Sequence, residues 1–182
     1  MIIGMSGASG IVYGVRLLEL LALAGVETHL VASKAALVTL AHETDLKWSE
    51  VKKKAHAVHN NDDVTAAIAS GSFRTEGMIV APCSMKTLGE IASGATQTLI
   101  ARAADVVLKE RRRLTLVPRE TPLHLGHLRN MTAVTEMGGV IAPPVPAFYT
   151  RPATLADMVD HTVGRLLDLY GIETGVVKRW GE

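Results

Sequence analysis

Hydroxyl, basic and carboxylate side chains recur in this chain at one kind of place, directly after a short apolar run. Ser6 and Ser9 follow Ile2-Ile3-Gly4-Met5, and Ser33 follows Glu27 to Ala32. Cys83-Ser84-Met85-Lys86-Thr87 comes after Gly77 to Ala81, and Arg119-Glu120-Thr121 after Leu114 to Val117. Each run reads as a strand, and a helical pattern follows, so these residues stand at strand-to-helix turns. A helix start points free N–H groups and a positive dipole end outward, and small residues such as Gly7 let backbone approach a ligand. The chemistry this supports is capture of a small anionic ligand. A dinucleotide turn requires G-x-G-x-x-G; Gly4, Gly7 and Gly10 are spaced three apart, which removes an NAD dehydrogenase.

Those turns need elements to position them. Ile11 to Ala24 carries Ile11, Val15, Leu18 and Leu21 at helical spacing and stops at Gly25. Lys34 to His42 reads as a helix, Glu43 to Asp63 as a polar irregular stretch and Val64 to Ser70 as a short helix. Gly77 to Ala81 is almost wholly apolar, as a strand buried on both faces must be. Leu88 to Ala92, Thr98 to Glu110 and Leu123 to Met137 read as helices, and Val140 to Ala142 as a last strand. Prolines exclude regular structure from Pro143 to Pro152. Thr154 with Asp157 is a capping-box variant. It opens a final helix with core stripe Leu155, Met158, Val159, Thr162, Val163, Leu166 and Leu167, and Arg165 on the polar face. Strands and helices alternate, so about five strands pair in parallel with helices on both faces, and a ligand belongs at the strands' carboxyl ends. No repeat or linker divides the chain, which predicts one domain over residues 1–182.

Of the 182 residues 48% are hydrophobic and the net charge is +1, which fits a folded α/β protein without a nucleic-acid partner. Lys109, Arg111, Arg112 and Arg113 form a local basic cluster. The single cysteine, Cys83, permits neither an intrachain disulfide nor a cysteine zinc site and reads as a small buried hydrophobe. The seven histidines show neither H-x-x-x-H nor H-E-x-x-H, so no metal is expected. No apolar run approaches the roughly 20 residues that span a bilayer, and no basic segment precedes the opening apolar stretch. The expectation is a cytoplasmic protein without membrane contact.

Six segments in order then carry a resemblance. Ser6-Gly7-Ala8-Ser9-Gly10, Val31-Ala32-Ser33-Lys34-Ala35-Ala36, Ala81-Pro82-Cys83-Ser84-Met85-Lys86-Thr87-Leu88, the Arg102 to Arg111 helix, Pro118-Arg119-Glu120-Thr121-Pro122-Leu123 and Pro146-Ala147-Phe148-Tyr149 together resemble the UbiX-type flavin prenyltransferases. The resemblance implies a Rossmann-like (flavodoxin-like) three-layer α/β fold and a homododecamer built from trimers. It implies transfer of a dimethylallyl unit from dimethylallyl monophosphate to reduced FMN, at N5 and C6, the prenylated FMN serving a UbiD-type decarboxylase. It implies that Gly7, Ala8, Ser9, Ser33, Ser84, Met85, Lys86, Thr87 and Arg119 contact FMN. Lys109, Arg119, Glu120, Tyr149 and Arg165 would gather round the substrate phosphate, and Ser9 with Glu43 would sit near flavin N5.

The residues can be set against what that reaction needs. Anionic charge grows on the leaving oxygen. Asp62-Asp63-Val64-Thr65-Ala66 departs from the metal-binding D-D-x-x-D pattern, so protein cations must meet that charge. Lys109, Arg119 and Arg165 supply it, arginine through paired hydrogen bonds. Glu120, with its pKa raised in a desolvated site, would protonate the leaving phosphate, whose second pKa is about 6. Two other readings stand: a non-catalytic FMN-binding subunit of an aromatic acid decarboxylase, and a flavin-dependent cysteine decarboxylase. The latter expects a P-A-S/T-A-N-type motif, where this chain has Pro82-Cys83-Ser84-Met85.

Overall fold

The computed structural model describes residues 1–181; Glu182, the last residue of the expected domain, lies outside the described residues. Six strands pair in parallel: β1 (Ile2–Met5), β2 (His29–Ala32), β3 (Ala57–Asn60), β4 (Gly77–Cys83), β5 (Arg113–Pro118) and β6 (Val140–Ile141), in the order β3-β2-β1-β4-β5-β6. The helices are α1 (Ile11–Leu23), α2 (Lys34–Glu43), α3 (Trp48–Lys52), α4 (Met85–Ser93), α5 (Leu99–Lys109), α6 (Leu125–Glu136) and α7 (Leu155–Asp168).

Side chains alternate across a strand, and that period sorts the core into two layers. Ile3, Leu30 and Ile79 pack with Leu17, Leu18 and Leu21 of α1 and Val163 and Leu167 of α7. Their neighbours Ile2, Val31, Met78 and Val80 face the other way, onto Leu99, Ala103 and Val107 of α5 and Leu88 of α4. β1 and β4 lie side by side in the middle, with Ile2 opposite Met78 and Gly4 opposite Val80, and every residue of both is buried. This is the three-layer arrangement the alternating pattern predicts.

The segment expected to be irregular holds two elements. β3 adds a sixth strand, pairing His29 with Ala57 and Ala32 with Asn60. As an edge strand it alternates between half-buried and exposed, so Ala57-Val58-His59-Asn60 never forms an apolar run. α3 is five residues long and buries only Val51. Without β3 the strand order would be 2-1-3-4-5, the flavodoxin-like order; with it the order is 3-2-1-4-5-6, the order of doubly wound dinucleotide folds. Val64 to Ser70 yields only a single 3₁₀ turn at Ala67–Ala69. The helix expected from Leu123 begins at Leu125, because His124 Nδ1 accepts the N–H of Gly126 at 3.0 Å and caps it. Thr154 and Asp157 form the expected capping box, but Leu155 is 79% exposed and lies outside the core stripe.

Candidate active site

The direction of winding reverses between β1 and β4, and the crevice beyond their carboxyl ends is where such a sheet holds a ligand. Ser6, almost fully buried, ties the two ends together. Its hydroxyl donates to the Pro82 carbonyl at 3.1 Å and accepts the Ser84 N–H at 2.7 Å, while its own N–H donates to the Pro82 carbonyl. Ser84 caps α4, accepting from the Thr87 N–H at 3.3 Å, so Met85, Lys86 and Thr87 form that helix's first turn. Ser33 caps α2, accepting from the Ala36 N–H at 3.1 Å, and its N–H donates to the Met5 carbonyl. Gly7 is pressed against the start of α2: a Cβ there would lie 2.3 Å from the Ala35 Cβ. Its φ is not left-handed, so close approach alone requires glycine. Three helix starts, those of α1, α2 and α4, therefore open on one crevice, with Gly7, Ala8 and Ser9 as its near wall.

The first of these starts is not free. α1 begins at Gly10, whose φ is 102°, and no side chain of its own turn caps it. Glu43, the last residue of α2, does so instead: its carboxylate accepts from the Gly10 N–H at 2.9 Å and the Ile11 N–H at 3.0 Å. Burial works to raise the Glu43 pKa. Hydrogen bonds from the Ser9 hydroxyl and the Gly10 and Ile11 N–H groups, with the charge of Arg119 nearby, outweigh it and hold the carboxyl below its ordinary value. The anion site expected at the opening turn is thus filled by the protein's own carboxylate, and Ser9 is its hydrogen-bond partner. The helix starts left open to an external anion are those of α2 and α4, where Lys34 and Lys86 stand exposed.

Arg119 and Glu120 leave β5 at the same edge. The Arg119 N–H donates to the Cys83 carbonyl at 3.4 Å, and Glu120 Oε1 accepts from the Thr121 N–H at 3.1 Å. Both side chains are exposed. Cys83 lies buried beneath them, and burial pushes its thiol up to about 12, which removes it as a nucleophile.

The other expected phosphate ligands, Lys109, Arg165 and Tyr149, do not gather beside Arg119 and Glu120 within one protomer. Lys109 closes α5, paired with Glu110, and three residues separate it from the first residue of β5. Helices that cross over between parallel strands run back against them, so a helix-closing residue lands at the amino-end edge, opposite Ser33, Ser84 and Arg119. Arg165, in the last turn of α7, pairs with Asp168 at 2.5 Å. Just beyond, the Tyr170 hydroxyl donates to the Met78 carbonyl near the start of β4, which places that helix end at the amino edge too. Tyr149, in a 3₁₀ turn (Phe148–Thr150), packs edge-on against His161 of α7, with its oxygen 3.4 Å from Nε2. Two features of this arrangement have no local sequence signature or only a faint one. Ser6 stands in the opening turn, but its tie to Pro82 and Ser84 spans more than seventy residues. His161 carried one available signal: it stands four residues before Arg165, on the same helix face. Among the described residues no group of three histidine, cysteine or carboxylate side chains could hold a metal ion, and no helix is long and apolar enough to cross a membrane.

Comparison with known proteins places this geometry. Residues 1–179 match the family model described as Flavoprotein. The flavin prenyltransferase UbiX of Thauera aromatica is 55% identical over 179 residues, 98% of this chain and 92% of that protein. A crystal structure of AnUbiX in complex with FMN and dimethylallyl pyrophosphate superposes with a TM-score of 0.98 at 53% identity, covering 100% of this chain and 96% of the other. A dodecameric FMN-dependent UbiX-like decarboxylase from Escherichia coli gives a TM-score of 0.97 at 52% identity, covering 100% and 98%. The chain belongs to the Flavoprotein family and, within it, to the UbiX-type flavin prenyltransferases.

Proposed function

We propose that this protein is a flavin prenyltransferase, joining a dimethylallyl group from dimethylallyl monophosphate to reduced FMN at N5 and C6. The observation that carries the reading is the full-length likeness to a relative crystallised with FMN and dimethylallyl pyrophosphate. The crevice supports it independently. Its donor set fits a flavin mononucleotide: hydroxyl-capped starts of α2 and α4 for the phosphate, and a glycine-tight wall against which a flat ring can lie.

On this reading Ser33, Ser84, Met85, Lys86 and Thr87 hold the FMN phosphate end, Gly7, Ala8 and Ser9 support the ring, and Arg119 contacts both FMN and the donor. Reduced FMN, when bound, supplies the nucleophilic positions. The Ser9 O–H donates to the Glu43 carboxylate, which leaves the lone pairs of the Ser9 oxygen free to accept. It takes the N5 proton as the new bond forms and passes its own to Glu43. Glu120 protonates the leaving phosphate, and Lys109, Arg119, Tyr149 and Arg165 bind it. Lys109 and Arg165 stand at the far edge of their own sheet, so they serve the crevice of a neighbouring protomer. That fits a homododecamer built from trimers, and the Escherichia coli relative is described as dodecameric. The reading includes one flavoprotein domain across the chain, cytoplasmic residence and delivery of prenylated FMN to a UbiD-type decarboxylase.

The test is anaerobic incubation of the protein with reduced FMN and dimethylallyl monophosphate, followed by mass analysis of the released flavin. A flavin heavier by one dimethylallyl unit is expected. Unmodified flavin from preparations that bind FMN stoichiometrically overturns the reading in favour of a non-catalytic FMN-binding subunit.

A further inference from the structure

His161 lies between two residues of the proposed phosphate site and has been given no task. It is 8% exposed. Nε2 lies 3.4 Å from the Tyr149 hydroxyl, and the two rings meet edge to face at 87°. Nδ1 is buried and meets no hydrogen-bond partner among the described residues. One turn on is Arg165, whose charge acts on the imidazole.

The orphaned nitrogen decides the tautomer. A neutral imidazole carries its proton on one nitrogen. On Nδ1 that proton would be a buried donor without an acceptor, the rarer and costlier orphan; a bare Nδ1 leaves only an unused acceptor. The proton therefore sits on Nε2 and is donated to the Tyr149 oxygen. A second proton is opposed first by burial and then by Arg165, with Asp168 acting the other way; the net effect lowers the histidine's pKa. With its oxygen already accepting from Nε2–H, the phenol is aimed so that its own proton points away from His161. Beside a cation one turn away, that proton suits an anionic oxygen.

We infer that His161 is a positioning residue that holds Tyr149 as an outward hydrogen-bond donor to the phosphate of the dimethylallyl donor. The inference rests on the proposed placement of Tyr149 at that phosphate, and the experiment separates the two. The full-length enzyme is assayed with reduced FMN and varied dimethylallyl monophosphate as wild type, Tyr149→Phe, His161→Phe, His161→Gln, His161→Asn and the Tyr149→Phe/His161→Phe double variant. FMN stoichiometry and oligomer mass confirm folding.

Tyr149→Phe and His161→Phe should each raise KM for the donor about tenfold, the share of one charge-assisted hydrogen bond, with less effect on kcat. His161→Gln places an amide N–H near the position of Nε2 and should return KM to within about threefold of wild type. His161→Asn ends near Nδ1, short of Tyr149, and should behave like phenylalanine. In the Tyr149→Phe background, His161→Phe should add little. Should Tyr149→Phe leave KM unchanged, the phosphate placement falls and the inference with it. A raised KM in Tyr149→Phe beside an unchanged one in His161→Phe overturns the inference alone. So do equal effects of His161→Phe in both backgrounds, or a glutamine variant no better than asparagine; those mark a histidine that only fills space.

Discussion

Gly7→Ala is the sharpest single test of how the crevice is built. The added Cβ would stand 2.3 Å from the Ala35 Cβ, with the Ala35 Cα and carbonyl carbon at 3.3 Å. Carbon atoms in good contact are about 3.5–4.0 Å apart, so the turn must withdraw from α2 by roughly an ångström. It cannot withdraw freely, because the Ser6 hydroxyl and N–H pin the residue before it to β4. Overpacking of this kind costs about 1–3 kcal/mol, a fall in melting temperature of roughly 3–10 °C for a chain this long. The displaced wall is the one on which the flavin is proposed to lie. FMN affinity, measured by quenching of flavin fluorescence, should fall about 10- to 100-fold, or roughly 1.4–2.7 kcal/mol. The control is the double variant Gly7→Ala/Ala35→Gly. It removes the clashing methyl and leaves contacts of 3.3 Å, which neighbours absorb by a few tenths of an ångström. FMN affinity should return to within a few-fold of wild type, while the new glycine in α2 keeps stability about 0.5–1 kcal/mol lower. A Gly7→Ala protein with wild-type affinity and melting temperature, or a double variant no better than the single one, refutes the packing argument.

Ser6→Ala leaves the half-buried Ser84 N–H without its acceptor, so thermal unfolding at fixed protein concentration should show a loss of about 1 kcal/mol, with FMN bound less tightly. For Glu43→Gln the sign follows from a depressed folded pKa: the carboxylate's contribution is fully present above its ordinary value of 4.5 and is lost as pH falls through the lower folded value. The variant should be less stable by about 0.5–1 kcal/mol at neutral pH, with the two stability curves converging in acid. Glu120→Gln should keep FMN binding and slow prenyl transfer about 10²- to 10⁴-fold; full activity would remove Glu120 as the acid. Mixed oligomers reassembled from inactive Lys109→Met and inactive Glu120→Gln protomers should regain part of the activity, because some crevices then receive both native residues; no recovery would place the two in one protomer's site.

What could be read in advance followed burial. β1 and β4 are covered on both faces, so their apolar runs stood out, and the polar turns after them had an unambiguous place. β3 was hidden because an edge strand needs only half its residues inside, and Ala57 and His59 met that need without an apolar pattern. Leu155 misled in the other direction, since helical period identifies a stripe but not where the core ends along it. Ser33 and Ser84 were legible as residues of strand-to-helix turns, because a hydroxyl between strand and helix is a local signal. The contact of Glu43 with the N–H groups of Gly10 and Ile11 spans more than thirty residues and joins the end of one helix to the start of another; no local pattern encodes it. The separation of Lys109 from Arg119 was legible in principle. One closes a helix and the other leaves a strand, and in a parallel α/β sheet those are opposite edges.

That separation and the Glu43 cap together set how charge is laid out in the crevice. A helix start attracts anions, yet at α1 the attraction is already met by a carboxylate held in its ionised form. A phosphate brought there would face that negative charge, whereas at α2 and α4 it meets N–H groups, hydroxyls and lysines. The α1 side therefore suits the uncharged face of a flavin ring, which is where the proposed reading lays it, beside Ser9. The donor phosphate cannot share the helix starts proposed for the FMN phosphate, so it needs a second cationic pole. Within one protomer Arg119 is the cation beside the crevice that the Glu43 carboxylate feels, while Lys109 and Arg165 stand away at the opposite edge, each paired with a carboxylate of its own. A protomer alone therefore has the electrostatics to bind FMN but not to draw off a leaving phosphate. FMN affinity should survive loss of Lys109 or Arg165, while prenyl transfer should not. A Lys109→Met protein whose FMN binding weakens in step with its activity would show that the two poles are one.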